Sequence, residues 1–152
     1  MVNVQTLKQF AEDNYSRHLV LKTPNVEIIV VCWNPGQCSP VHGHGQTDGV
    51  IVVLEGELHN TNMYPDGKKV SSIGRVGDVL HTPVGVKHCV SNLSELEAVT
   101  LHVYAPPLAK EFLNPDLGYA NDVQLQEVKL PNEISQYLIC LLYTSPSPRD
   151  SI

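Results

Sequence analysis

Two histidines with a single residue between them, His42 and His44, lie between two apolar, β-branched runs of the chain. The runs cover residues 26–33 (VEIIVVCW) and 50–54 (VIVVL). Such runs favour β-strands, and residues i and i+2 of a strand point to the same face of the sheet. The two imidazoles are therefore expected to enter one space, where their ring nitrogens need partners. A divalent metal would satisfy them; hydrogen-bonded or surface histidines are the alternative that this pair alone leaves open.

The rest of the chain alternates short strand-like segments with turns, which predicts an all-β domain. Turn signals such as those at 65–68 (PDGK) and 83–85 (PVG) separate the segments. This spacing is typical of an antiparallel sandwich or barrel. The apolar residues of 4–13 instead have helical spacing, so a short N-terminal helix is expected there. One more strand is expected near 123–128.

The composition bounds the class of protein. The 152 residues fit one domain, and a hydrophobic content of 42% is enough for a core. The net charge of -6 and the absence of a Lys or Arg run argue against nucleic-acid binding. No apolar run approaches the ~18 residues of a membrane-spanning helix, and no signal-peptide core is recognised. We therefore expect a cytoplasmic protein with reduced thiols, and its four cysteines lack zinc-finger spacing.

Residues 140–152 (CLLYTSPSPRDSI) are not expected to belong to the fold. They resemble the in-frame translation of a sequencing adapter rather than natural protein. A single domain over residues 1–139 is therefore expected, followed by a non-native tail. An ordinary disordered tail is the alternative.

The histidine pair lies within the first of two sequence motifs that have fixed spacing. Residues 36–56 read G-x5-H-x-H-x11-G, and residues 77–92 read G-x5-P-x-G-x2-H-x3-N. The glycines permit turns with positive φ, and the proline fixes a turn. Together they resemble the two motifs of the cupin superfamily, whose fold is a small antiparallel jelly-roll β-barrel. The resemblance implies that His88 joins the histidine pair at one metal site.

Three histidines without a carboxylate form a neutral ligand set, which Fe(II), Zn(II), Cu(II) and Ni(II) all accept. The same set can hold zinc with a water, as in zinc hydrolases, so the ligands alone do not choose the metal. In most cupins an acidic ligand follows the second histidine by four or five positions. Asp48 stands in that region and shares strand parity with the pair, so a fourth ligand stays open, although nearby glycines argue against a regular strand.

Segments around both motifs resemble the type I cysteine dioxygenase family, over roughly residues 14–107. The resemblance implies a mononuclear non-haem Fe(II) centre and an oxidoreductase of cysteine catabolism that converts L-cysteine and O2 to cysteine sulfinate. The matching segments are YSRHLV (15–20), CWNPG (32–36), SPVHGH (39–44), VKHCVSN (86–92) and TLHVYAPP (100–107).

The resemblance also assigns roles around the iron. Arg17, a planar fork suited to an anion, would take the substrate carboxylate, with Tyr15 in the same substrate site. Thr100, His102 and Tyr104 alternate along one strand, so hydroxyl, imidazole and phenol can form a hydrogen-bonded row aimed at the metal. The resemblance makes these three the catalytic residues. A surface polar stripe is the alternative.

Two features depart from the animal members of that family. They carry a cysteine that cross-links to the signature tyrosine, and Gly49 stands at its place, as in bacterial-type members. Tyr104 is therefore expected to be an unmodified phenol. The chain is also short at its N-terminus relative to the family, so part of a helical region is expected to be missing.

Other functions remain as alternatives. A dioxygenase for another small thiol, such as 3-mercaptopropionate, is the nearest, but such relatives tend to carry glutamine where Arg17 stands. A non-redox metal-binding cupin and a zinc-dependent isomerase or hydrolase are further candidates. The expected partners are the small molecules L-cysteine and O2, and a monomer is expected. His18, His59 and His81 are expected at the surface or at strand ends, and Trp33 is expected in the core next to the site.

Overall fold

A computed structural model describes residues 4–108 of the protein. Strands make up almost all regular structure in this range, after one 3-10 turn at Val4–Leu7. In chain order, the strands are β1 (Ser16–Lys22), β2 (Glu27–Trp33), β3 (His42–Gly43), β4 (Asp48–Glu55), β5 (Glu57–Met63), β6 (Lys69–Arg75), β7 (Val79–Thr82), β8 (Lys87–Ser91) and β9 (Ala98–Ala105).

The strands form two antiparallel sheets, which confirms the predicted all-β architecture. The five-stranded sheet has the order β1-β2-β9-β4-β7, and the four-stranded sheet has the order β3-β8-β5-β6. Strand β9 is the middle strand of the larger sheet, and all of its residues except the last are buried. Polar side chains on β9 are therefore shielded from bulk water and need partners within the protein.

The core lies on both faces of the larger sheet. Ile29 and Trp33 of β2 belong to an apolar cluster that also contains Leu58 and Val90 of the smaller sheet. The other face of β2 packs in a second cluster, which includes Leu7 of the N-terminal turn. The continuous apolar run of β2 thus reflects a strand that is buried along its whole length.

The helix expected over residues 4–13 is reduced to the 3-10 turn at Val4–Leu7. An α-helix would need the carbonyl of Gln9 to accept the backbone N–H four residues later. That carbonyl instead accepts hydrogen bonds from Ser16 Oγ and, at 3.0 Å, from His18 Nε2. The expectation that His18 lies at the surface or at a strand end is wrong, because its ring is 1% exposed and ties this segment to β1.

The other two histidines with surface predictions are placed as expected. His81 is exposed on the edge strand β7, and His59 is partly exposed on β5. The strand predicted near 123–128 and the tail 140–152 lie outside the described residues, so these and the domain limits 1–139 stay predictions. Within the described part of the chain, the structure contains no helix that is long and apolar enough to cross a membrane.

Candidate metal centre

Three imidazoles converge at the pairing of β3 with β8. The register places His42 directly opposite His88, and His44 follows just after β3. Nε2 of His88 lies 3.1 Å from Nε2 of His42 and 3.1 Å from Nε2 of His44. One donor atom of each residue lies within 4.8 Å of the other two. The structure therefore brings together the three side chains predicted as metal ligands.

A backbone carbonyl sets which nitrogen of His42 faces this centre. His42 Nδ1 lies 2.8 Å from the carbonyl oxygen of Pro40. A carbonyl can only accept, so Nδ1 carries the proton and donates it. Nε2 of His42 is then an unprotonated nitrogen whose lone pair is aimed at the other two rings. This is the usual way in which a second hydrogen bond orients a metal-binding histidine.

Two side-chain amides determine which ring nitrogen of His88 faces the centre. Asn62 Nδ2 donates to the His81 carbonyl at 2.9 Å, which leaves its Oδ1 to accept from Asn60 Nδ2 at 2.9 Å. Asn60 Oδ1 is then free to accept the Nδ1 proton of His88 at 2.8 Å. Thr82 Oγ1 lies 3.1 Å from the same ring nitrogen. His88 thus also presents an unprotonated Nε2 to the centre.

The facing lone pairs of His42 and His88 would repel each other at 3.1 Å unless a cation lies between them. A proton is disfavoured, because burial and the neighbouring histidines lower the pKa of His88 to about 2, and burial and His42 lower the pKa of His44 to about 4. A divalent ion with nitrogen ligands at ~2.1 Å holds neighbouring nitrogens roughly 3.0–3.4 Å apart. Both Nε2 distances from His88 lie in this range, and the donor atoms of all three residues lie within 4.8 Å of one another, so the three residues fit a divalent metal.

A hydrogen-bonded row runs along the inward face of β9 toward this centre. Thr100 Oγ1 lies 2.8 Å from His102 Nε2, and His102 Nδ1 lies 3.2 Å from the Tyr104 hydroxyl. All three residues are buried, so the alternative of a surface polar stripe is wrong. The Tyr104 ring meets His44 edge-on, with ring centroids 5.0 Å apart. Burial raises the pKa of Tyr104 well above its ordinary value, which keeps the phenol protonated.

Trp33, which was predicted in the core next to the site, is the last member of this row at the end away from Tyr104. Its Nε1 donates to Thr100 Oγ1 at 2.9 Å, across 67 positions of sequence. Tyr15, a predicted substrate residue, stacks on the indole with ring centroids 4.5 Å apart. A contact between strands so distant in sequence leaves no local signal. The inward parity of Trp33 within β2 was the one available indication.

Arg17 adds a positive charge to the same interior. It is buried in β1, and the strand register aligns it with Val31 of β2 and, through Val31, with Thr100 of β9. Burial lowers the pKa of His42, and the charge of Arg17 acts in the same direction. The same two causes act on the pKa of His102. The residue predicted to bind a carboxylate thus lies close to both the imidazoles and the row.

Asp48, considered above as a fourth ligand, lies outside the three-histidine group. Its Oδ1 is 2.6 Å from Nε2 of His81, and this hydrogen bond raises the pKa of His81. A Cβ built on the next residue, Gly49, would point at His44 and Tyr104. Because neighbouring strand residues face opposite sides, the Asp48 side chain is directed away from the centre.

Comparison with known proteins places the chain in a family. Residues 3–112 match the family described as cysteine dioxygenase type I. The chain belongs to this family. Cysteine dioxygenase type 1 of Homo sapiens is 30% identical over 110 residues, which cover 65% of this chain and 54% of the human protein. The Danio rerio protein of the same name is 30% identical over 130 residues, which cover 77% and 64%. The chain thus spans somewhat more than half the length of these relatives.

Solved structures confirm the cupin fold of this cysteine dioxygenase type I family member. A Thermus thermophilus protein has a TM-score of 0.63 at 24% identity, covering 70% of this chain and 96% of its own. A Klebsiella pneumoniae protein with a double-stranded β-helix domain has a TM-score of 0.62 at 21% identity, covering 72% and 96%. The Schizosaccharomyces pombe Cnp3 cupin domain has a TM-score of 0.55 at 16% identity, covering 61% of each chain. At these identities the likeness concerns the fold alone.

Gly49, where the sequence resemblance implies that a cross-linking cysteine is missing, lies close to the candidate centre. A Cβ built at Gly49 would lie 3.5 Å from Cε1 of Tyr104 and 2.9 Å from Nδ1 of His44. The position therefore touches both the phenol and a candidate ligand. Nδ1 of His44 is buried and has no hydrogen-bond partner among the described residues. A Cβ at this position would therefore require the His44 ring to shift.

Proposed function

We propose that this member of the cysteine dioxygenase type I family is a mononuclear non-haem Fe(II) enzyme that oxidises L-cysteine with O2 to cysteine sulfinate. The observation that carries the proposal is a cluster of three neutral imidazoles beside both a buried guanidinium, Arg17, and a buried phenol, Tyr104. In the overall reaction both oxygen atoms are added to the sulfur. The thiol supplies the electrons, so no separate reductant is required.

His42, His44 and His88 would hold the iron. Their donor set is neutral, so the full charge of the ion is available to attract anions. A bound Fe(II) would lower the pKa of a cysteine thiol and supply the redox chemistry with O2. The protein contributes unprotonated nitrogens that are held in place before any ion arrives. This pre-organisation reduces the ordering cost of metal binding.

Arg17 would bind the carboxylate of the substrate. A guanidinium offers two parallel N–H donors that match the two oxygens of a carboxylate. Its burial in β1 places this recognition in a low-dielectric environment, where a charge-assisted hydrogen bond is stronger than in water. Tyr15 is buried just before β1, and stacking on Trp33 holds the Tyr15 ring.

Tyr104 would act as a hydrogen-bond donor to an anionic group of the bound reactants. Its pKa is raised by burial, so it keeps its proton at neutral pH. His102 holds the phenol oxygen in place, and the ring contact with His44 keeps it beside the ligands. A donor that is oriented before the reaction stabilises developing negative charge without reorganisation.

Oxygen uptake by the Fe(II)-loaded full chain tests the proposal, first with L-cysteine and then with 3-mercaptopropionate. Arg17→Gln is expected to raise the KM for L-cysteine at least ~10-fold, because a charge-assisted hydrogen bond is lost. Arg75→Gln, at an exposed position of β6, is the matched control and should leave KM unchanged.

Uptake with 3-mercaptopropionate alone would overturn the assignment of L-cysteine while keeping a thiol dioxygenase. That thiol has the same carboxylate without the amino group, so the comparison isolates recognition of the amine. No uptake with either thiol, despite bound iron and a folded domain, would overturn the dioxygenase and leave a non-redox metal-binding cupin.

A further inference from the structure

Four side chains form one continuous hydrogen-bonded line through the larger sheet, from β2 to the metal centre. Trp33 Nε1 lies 2.9 Å from Thr100 Oγ1, and Thr100 Oγ1 lies 2.8 Å from His102 Nε2. His102 Nδ1 lies 3.2 Å from the Tyr104 hydroxyl. A hydroxyl, an imidazole and a phenol can each donate or accept. The indole of Trp33 can only donate, so it alone imposes a direction on the line.

The direction follows group by group from the indole. Thr100 Oγ accepts the hydrogen bond from the N–H of Trp33, so the Thr100 hydroxyl can itself donate a hydrogen bond to His102 Nε2. His102 must then carry its proton on Nδ1 and donate it to the oxygen of Tyr104. With its oxygen accepting from His102, the Tyr104 hydroxyl proton points out of the line. The space it enters is the one beside the His44 ring.

The opposite direction leaves a buried proton without an acceptor. If Tyr104 donated to His102 Nδ1, then His102 Nε2 would donate to Thr100 Oγ. Thr100 Oγ would accept from both His102 and Trp33, and the Thr100 proton would need a third partner. Thr100 is fully buried, and no other hydrogen bond of its hydroxyl is found among residues 4–108. An unsatisfied buried donor is costly, so this arrangement is disfavoured.

We propose that Trp33 is a positioning residue that holds His102 as its Nδ1–H tautomer and thereby directs the Tyr104 hydroxyl proton into the substrate space. Its role is carried by one N–H group rather than by the bulk of the ring. Stacking of Tyr15 on the indole keeps that N–H aimed at Thr100. The result is a phenol that is committed to donating toward an anion near the metal. This inference does not depend on which thiol, if any, is oxidised.

The tautomer of His102 can be measured directly by nitrogen-15 NMR on the full chain loaded with Zn²⁺, which is diamagnetic. Two-bond correlations between ring protons and ring nitrogens distinguish the Nδ1–H and Nε2–H forms. The His102 signals are assigned by their loss in His102→Gln. We expect His102 to be predominantly the Nδ1–H form. A predominantly Nε2–H form in the unmodified protein would overturn the proposal, whatever the variants show.

Replacing the indole N–H of Trp33 by sulfur separates the effect of this hydrogen bond from the effect of the ring's shape. Trp33 is the single tryptophan of the chain, so biosynthetic incorporation of benzothienylalanine replaces only its N–H by sulfur. Loss of one hydrogen bond corresponds to about a fivefold change in an equilibrium. The ratio of the Nδ1–H to the Nε2–H form of His102 is therefore expected to fall about fivefold.

The matched control is Tyr15→Phe, which keeps both the aromatic stack and the indole N–H and should leave the tautomer ratio unchanged. An unchanged ratio in the benzothienyl protein would overturn the role of the N–H. An equal change in both proteins would also overturn it, because the ratio would then change even with the indole N–H in place. A chain that oxidised no thiol would refute the proposed function and leave these NMR outcomes valid.

Discussion

His42 and His88 lie directly opposite each other on β3 and β8, and their Nε2 atoms are 3.1 Å apart. The Nδ1–H of each ring donates a hydrogen bond to a partner outside the centre. The acceptor is the Pro40 carbonyl for His42 and the Asn60 side chain for His88. Two lone pairs therefore face each other across the gap. The strand register and two hydrogen bonds are enough to define a cation site, before any similarity to other proteins is considered.

Metal affinity is expected to depend only weakly on pH between about 7.5 and 6. Three histidines with an ordinary pKa of ~6.5 would lose about 50-fold in affinity over this range, because protons compete for the nitrogens. Here the pKa of His44 is about 4 and that of His88 is about 2, so both stay unprotonated until the pH falls well below 6. We expect a loss below about fivefold. A chelator-competition titration with Zn²⁺ at both pH values measures it, and a 50-fold loss would contradict the lowered pKa values.

Removing the acceptor of the His88 proton should weaken metal binding. Asn60→Ala removes the acceptor at 2.8 Å and leaves only Thr82 Oγ1, at 3.1 Å, beside Nδ1 of His88. Such substitutions cost about 10–100-fold in metal affinity. Asn25→Ala, in the exposed turn before β2, is the control and should bind Zn²⁺ as the unmodified protein does. Equal affinity in both variants would mean that the two side-chain amides do not orient His88.

Two glycines close to the ligands should respond differently to an added methyl group. A Cβ at Gly49 would lie 2.9 Å from Nδ1 of His44, whereas a Cβ at Gly43 would meet only the flexible side chain of Lys87, at 3.5 Å. Gly49→Ala must displace the His44 ring, so we expect at least ~10-fold weaker Zn²⁺ binding, by analogy with the loss of other supporting contacts. Gly43→Ala should change it little. Isothermal titration of both variants decides, and similar affinities would show that position 49 does not press on the ligand.

The middle strand of the larger sheet should be the least tolerant of lost volume. Leu101 is fully buried in β9, between two members of the polar row. Leu101→Ala is expected to lower the free energy of unfolding by about 2–5 kcal/mol. Leu96→Ala removes the same atoms from a side chain that is 72% exposed and should cost less than ~0.5 kcal/mol. Urea unfolding of the two variants, with equal slopes, makes the comparison; comparable losses would contradict the assigned core.

The features that depend on one strand or one motif could be read from the sequence. Alternation along a single strand is enough to put Thr100, His102 and Tyr104 on one face, and the row is present. The spacing of the two motifs likewise indicated which histidines meet, although His44 follows β3 rather than lying within it. Residue parity and turn positions are local properties, so they survive without knowledge of the strand order.

The features that depend on strand order could not be read in this way. The bond from Trp33 to Thr100 requires the pairing of β2 with β9, and the support of His88 by Asn60 requires the pairing of β5 with β8. Neither pair is adjacent in the chain. The N-terminal helix failed for a related reason, because the Gln9 carbonyl is taken by side chains of β1. Tertiary hydrogen bonds outweigh a local helical pattern of this length.

Isotope analysis of the product tests the central claim most directly. The Fe(II)-loaded full chain is supplied with L-cysteine under oxygen-18 gas, and the product is examined by mass spectrometry. The account predicts cysteine sulfinate in which both sulfinate oxygens carry the heavy isotope, with one O2 consumed for each product molecule. Cystine with hydrogen peroxide as the product, or sulfinate with an oxygen taken from water, would contradict it.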